Sequence, residues 1–184
     1  MVIYSLRFNL TNKKNKRMKK ISILTLLLVF LTGYSNVIGQ DSKFQALIMY
    51  NFTKLLDWPD KSGDFIISVV SNDELAKELT DFTANRKVGG IQNIVVNKVM
   101  VNDLTKCQII FVGVSESSSL NEIIQKASGK NTLLITEKNG LTDQGAGISF
   151  VKKNGAWKFQ FNEVNIKKQG LKVSSDFKGL GIAK

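Results

Sequence analysis

The run Cys107–Glu116, CQIIFVGVSE, constrains this chain more than any other stretch. Ile109, Ile110, Phe111, Val112 and Val114 are β-branched or aromatic, and the run is too short for a buried helix. Cys107–Val114 reads as a central strand with apolar cover on both faces, and Ser115–Glu116 stand at its carboxyl end. Such a strand needs helices above and below its sheet, and helical patterns do alternate with short apolar runs on either side of it. The expected architecture is an α/β, three-layer sandwich with a mostly parallel sheet and an antiparallel hairpin at its C-terminal edge.

The other elements follow from spacing. Phe44, Leu47, Ile48, Phe52, Leu55 and Leu56 recur at helical intervals, so Lys43–Asp57 is an amphipathic helix that Trp58-Pro59 ends. Phe65–Val70, Ile91–Val96 and Thr132–Thr136 read as further strands. Ser71-Asn-Asp-Glu74 and Ser119-Leu-Asn-Glu122 have capping-box spacing, which predicts helices ending near Thr83 and Ser128. Arg86–Gly90 is a turn, Asn102–Lys106 a short connection, and Lys138–Gly147 a polar, glycine-rich loop. Asn154-Gly155 joins Ile148–Lys152 to Trp157–Phe161 as a hairpin. In its second arm Trp157, Phe159 and Phe161 alternate with Lys158 and Gln160, which buries one face. Asn162–Gln169 and Ser174–Leu180 complete the chain as short helices.

The formal charge of +11 over 184 residues suggests nucleic acid until its position is considered. Seven of the 26 basic residues precede residue 40 and no acidic residue does, which leaves 19 against 15 and a balance of +4 for the rest. That is no electrostatic footprint for phosphate backbones, so no nucleic-acid partner is expected. The N-terminal excess fits an export signal instead. Met18-Lys-Lys, the apolar stretch Ile21–Leu31 and the polar Thr32–Gly39 are its three regions in order. Ile21–Leu31 is well short of the ~20 apolar residues of a membrane-spanning helix. Residues 1–17 read as a mis-assigned upstream leader, residues 18–39 as the signal peptide, and residues 40–184 as a single domain beginning at Gln40. The expected location is periplasmic.

The chain contains no histidine and one cysteine. It therefore has no Ser-His-Asp or Cys-His nucleophile system, no imidazole for a transition metal and no intramolecular disulfide. Cys107 reads as a small buried hydrophobe. Asp57, Asp60 and Asp64 match no calcium loop, and a solvated connection accounts for them. Gly145-Ala-Gly147 leads into a strand, not from a strand into a helix, so it lacks the context of a dinucleotide fingerprint. No cofactor is expected, and the residues point away from enzymatic activity and towards binding. Ligands of open α/β sheets settle at the carboxyl ends of strands, where Ser115 and Glu116 stand. Ser115 equally suits a helix cap.

The blocks Tyr50–Pro59 (YNFTKLLDWP), CQIIFVGVSE, Thr132–Gly140 (TLLITEKNG), Gly147–Phe150 (GISF), Phe159–Asn162 and Gly170–Ser175 stand in an order that resembles the YfiR-like family across the mature chain. The resemblance implies an exported, non-enzymatic α/β regulator of the bacterial envelope. By analogy with the founding member, it would bind and restrain the periplasmic part of an inner-membrane signalling protein, a diguanylate cyclase or a sensor kinase. Two departures stand out: the founding member's paired cysteines have one counterpart, Cys107, and an arginine frequent before the tail is Lys158 here. The resemblance and the strand-end argument together give a candidate ligand or partner surface of Ser115, Glu116, Lys158, Asn162, Ser174 and Ser175. Contact with a membrane sensor predicts an exposed apolar patch from the first helix (Phe44, Tyr50, Trp58) or the C-terminal segment, although the core is the ordinary place for those three aromatics. The alternative is a periplasmic small-molecule binding protein with a pocket near Ser115, Glu116 and Lys158. A homodimer is compatible with either.

Overall fold

The structure, a computed structural model, describes residues 37–184, and Gly39–Lys184 form one compact unit. The expected leader and export signal lie outside the described residues, except that Val37–Gly39 belong to the first turn of helix α1. No helix among the described residues is long and apolar enough to cross a membrane.

Helix α1 (Val37–Leu55) presents Ala46, Met49 and Phe52 to the core at the expected spacing. It starts earlier than the apolar pattern indicates and stops two residues sooner. Leu56–Asp57 are drawn into a short strand, β1, that pairs antiparallel with β9 (Lys172–Val173). The main sheet has eight strands, in the order β10-β8-β7-β6-β5-β2-β4-β3. Its centre is β2 (Phe65–Val70), β4 (Gln92–Val99), β5 (Ile109–Val112), β6 (Leu133–Thr136) and β7 (Ile148–Lys153), each parallel to its neighbour. Strand β8 (Ala156–Phe161) returns antiparallel to β7 through Asn154 and Gly155, both at positive φ as a two-residue hairpin requires. The hairpin is not the last element at that edge. β10 (Ile182–Ala183) adds parallel to β8, and at the far edge β3 (Lys87–Val88) pairs antiparallel with the start of β4.

Two apolar layers flank the sheet because strand side chains alternate. Ile109 and Phe111 of β5 point into one, with α1 and with Leu75, Ala76 and Leu79 of α2 (Asp73–Thr83). Ile110 and Val112 point into the other, against Leu120 and Ile123 of α3 (Leu120–Ala127). The three-layer sandwich expected from the central run is thus the observed one. The short helices α4 (Glu163–Lys168) and α5 (Ser175–Leu180) close the first layer through Ile166 and Phe177. Phe177 packs on Phe52, Phe159 and Phe161 with ring centroids 5.5, 5.4 and 5.1 Å away. Trp58 is 4% exposed and stacks edge-on against Phe65, so it takes the core role that an aromatic ordinarily takes and is not part of an exposed patch. Phe44 and Tyr50 are half-buried.

The capping chemistry also departs from the spacing. Asn72, not Ser71, caps α2, its side chain accepting from the Leu75 amide at 2.9 Å. Ser119 makes no cap for α3 and donates to Glu116 at 2.9 Å. Both shifts arise because a 3-10 turn, Val114–Ser119, precedes α3 and because Ser71 takes up a left-handed backbone (φ 59°) that turns its hydroxyl elsewhere.

Candidate functional site at the strand-order reversal

From β2 the chain runs through α2 to β4 on one side, then crosses back to β5 on the other side and proceeds outward through α3 to β6. Strand order therefore reverses between β2 and β5. The two crossover helices leave on opposite faces, and their departure opens a crevice at the strands' carboxyl ends.

The floor of the reversal point is tightly built. The Gly113 amide donates to Val70 O at 2.8 Å, and a Cβ on Gly113 would lie 2.2 Å from the carbonyl oxygen of Ser71. Only glycine allows the end of β5 to come this close to the turn after β2. Above it the Ser71 and Ser115 hydroxyls are 2.5 Å apart. Glu137, the residue after β6, spans the same rim: its carboxylate accepts from Asn72 Nδ2 at 3.1 Å and from the Val114 amide at 3.2 Å. The loops after β2, β5 and β6 are thus held in one hydrogen-bonded frame.

Beside this frame lies a crevice of about 700 Å³, lined among others by Ser71, Asp73, Lys98, Glu116, Ser119 and Glu122. Lys98 is paired with Asp73 at 2.7 Å, and Glu122 faces Lys126 at 3.5 Å. With Asp103 the lining carries four carboxylates and one ammonium group, so its field favours a cationic group over an anion.

Of the six residues singled out from the sequence, Ser115 and Glu116 meet here, Ser115 in the rim and Glu116 in the lining. Lys158 does not. It is exposed on β8, three strands from β5 or about 14 Å across the sheet, opposite Val151. Asn162 caps α4, accepting from the Asn165 amide at 3.1 Å, and also donates to Thr142 O. Ser174 caps α5, accepting from the Phe177 amide at 3.1 Å, and Ser175 is the first residue of that helix. Ser174 also borders a separate cleft of about 640 Å³ with Leu56, Trp58 and Ile91. Sequence reading missed Ser71, Glu137 and Lys98. The signal for Glu137 was present, since it follows an apolar strand just as Ser115 and Glu116 do.

Cys107 is buried at the start of β5, and burial pushes its thiol above the ordinary range, with a hydrogen bond to Ser68 opposing. It lies before the amino end of the strand, away from the crevice, and offers no exposed thiolate.

Comparison with known proteins follows the same outline. The pattern described as YfiR/HmsC-like matches residues 42–181. No curated protein matches the chain. Two solved structures share the fold: the ABC domain from Streptococcus pneumoniae in complex with L-Trp (TM-score 0.53, 12% identity) and a conserved domain protein from Vibrio cholerae O1 biovar El Tor (TM-score 0.52, 11% identity). In each case 77% of this chain aligns with 59% of the other, so the chain spans well under two thirds of their length.

Proposed function

The chain belongs to the YfiR/HmsC-like family, and we propose that it is an exported, non-enzymatic regulator that binds and restrains the periplasmic part of an inner-membrane signalling protein, a diguanylate cyclase or a sensor kinase. The observation that carries this reading is the family match over 140 residues, 42–181, which takes in every strand of the main sheet but the outermost, β10. The chemistry agrees with it. A chain without histidine, whose one thiol is buried in the core, has surface and shape to offer before it has reactive groups. The experiment is affinity capture of the tagged protein from solubilised membranes, with cyclic-di-GMP measured in a strain lacking it. Recovery of one membrane sensor, together with a rise in the nucleotide or in a kinase output, is the expected result. Capture of no membrane protein with unchanged outputs overturns the reading.

The crevice at the strand-order reversal favours a second reading, a small-molecule binding protein. One of the structures that shares the fold was solved with an amino acid bound, and the carboxylate-rich lining here suits a ligand bearing an amino group. Thermal stabilisation by such a compound, abolished in Glu116→Gln, is its test. A ligand at a hundredfold excess over its dissociation constant contributes about 2.7 kcal/mol.

A further inference from the structure

We propose that an extended segment of the signalling partner, carrying a lysine or an arginine, adds as a further strand to the outer edge of β4 and seats that side chain in the crevice beyond Met100. This rests on the reading of the chain as a regulator and names the chemistry of what it holds. Strand β4 has eight residues, and among the described residues only β3 reaches its outer edge, at Gln92 and Asn93. From Ile94 to Val99 the inner edge pairs with β2, and the outer backbone groups have no strand partner. Such an edge is a template for another extended chain unless proline, a bulge or charges blunt it. Lys98 is the one charged residue between Ile94 and Met100, and Asp73 pairs with it at 2.7 Å.

The occupant follows from what borders that edge. Ile94 and Val96 pack towards the first apolar layer and Val99 towards the second, all three half-buried. An added strand with apolar residues at alternate positions therefore extends a layer that already exists. At the carboxyl end, Lys98, Val99 and Met100 themselves line the crevice of about 700 Å³, so a strand that continues past Met100 enters it. Met100, 70% exposed, gives that entrance an apolar wall. Inside, Asp73 and Glu122 already have ammonium partners in Lys98 and Lys126. Asp103 and Glu116 have none among the described residues, and Glu116 takes only the Ser119 hydroxyl, at 2.9 Å. Two carboxylates without a cation thus stand at the end of an edge without a strand. A polypeptide satisfies both, its backbone pairing along β4 and its cationic side chain meeting the carboxylates. A small amine satisfies the carboxylates and leaves the edge bare.

The test is a titration of the purified protein, followed by its backbone amide resonances, with a short acetylated peptide of alternating valine and threonine that has one arginine near its end. Shifts are expected along Ile94–Met100 and at Asp103 and Glu116. The same peptide with glutamate in place of arginine, or N-methylated along one edge, is expected to bind at least about tenfold more weakly. Asp103→Asn combined with Glu116→Gln, both at the surface, should remove the preference for arginine over glutamate. Absence of binding, shifts confined to other parts of the chain, or equal binding of the arginine and glutamate peptides overturns the proposal. The regulator reading fails separately, when no sensor is captured from membranes. A sensor whose capture is unchanged by an excess of the arginine peptide leaves that reading standing and sinks this one.

Discussion

The hydroxyls of Ser71 and Ser115 meet at 2.5 Å across the point where the sheet changes direction. Below them the carbonyl of Ser71 leaves no room for a side chain on Gly113. Gly113→Ala is therefore expected to destabilise the fold by about 3 kcal/mol, the upper part of the overpacking range, because the opposing atoms are backbone and cannot swing aside. Ser115→Ala loses one exposed hydrogen bond and is expected to cost less than about 1 kcal/mol. Urea unfolding of the two variants separates these outcomes, and equal costs would contradict the geometry.

Phe177 ties the six-residue α5 to rings from α1 and β8. Phe177→Ala is expected to destabilise by about 3–5 kcal/mol, the usual range for emptying a phenylalanine site in a closed core. A loss below ~1 kcal/mol would mean that the C-terminal segment is not docked as described.

Asp60 accepts from Ser62 and from Lys106, which together hold its carboxyl down at about 2 against an ordinary 3.8. At Asp41, burial pushes the other way, but bonds from Trp157 and Lys152 prevail and its carboxyl is lowered too. Glu163 is lowered by Lys178 and Lys167. Groups lowered in the folded state stabilise it fully above their unfolded pKa and lose that effect as pH falls through the folded value. Stability is thus expected to hold down to about pH 4 and to decline from there towards pH 2. Asp60→Asn should flatten part of that decline in a melting-temperature series.

Cys107 is 2% exposed and its thiol is raised by burial, so a thiol reagent is expected to label the native protein only when it opens. Labelling should accelerate by orders of magnitude in denaturant. Rapid labelling in native buffer would place the cysteine at the surface, contrary to the fold.

The strands were legible because short segments dominated by apolar, often β-branched residues leave few alternatives. Phe65–Val70 matches residue for residue, and Leu133–Thr136 to within one. The two-residue strands β1, β3, β9 and β10 were not legible, since a pair of residues has no period and such strands exist only through a partner distant in sequence, as Leu56 through Val173. The caps were misplaced for a related reason. Spacing identifies a serine and a glutamate three apart but not which hydroxyl is diverted, and Ser71 is diverted by Ser115, 44 positions away. Ser115 and Glu116 were placed at the reversal point by a rule about strand ends. Lys158, Asn162, Ser174 and Ser175 came from resemblance alone, and three of those four are at hairpin or cap positions whose local duties the structure makes plain: Lys158 in the strand arm, Asn162 and Ser174 at helix starts.

Asp41, early in α1, accepts from Trp157 and from Lys152, and Phe52 further along rests on Phe159 and Phe177. Helix α1, the first among the described residues, is thus seated on the last third of the polypeptide. A chain made from its amino end cannot shut its own interior until that late hairpin arrives, so collapse must wait for completion of synthesis. Such a protein stays loose for as long as it is unfinished, a useful condition for anything that must be threaded before it folds.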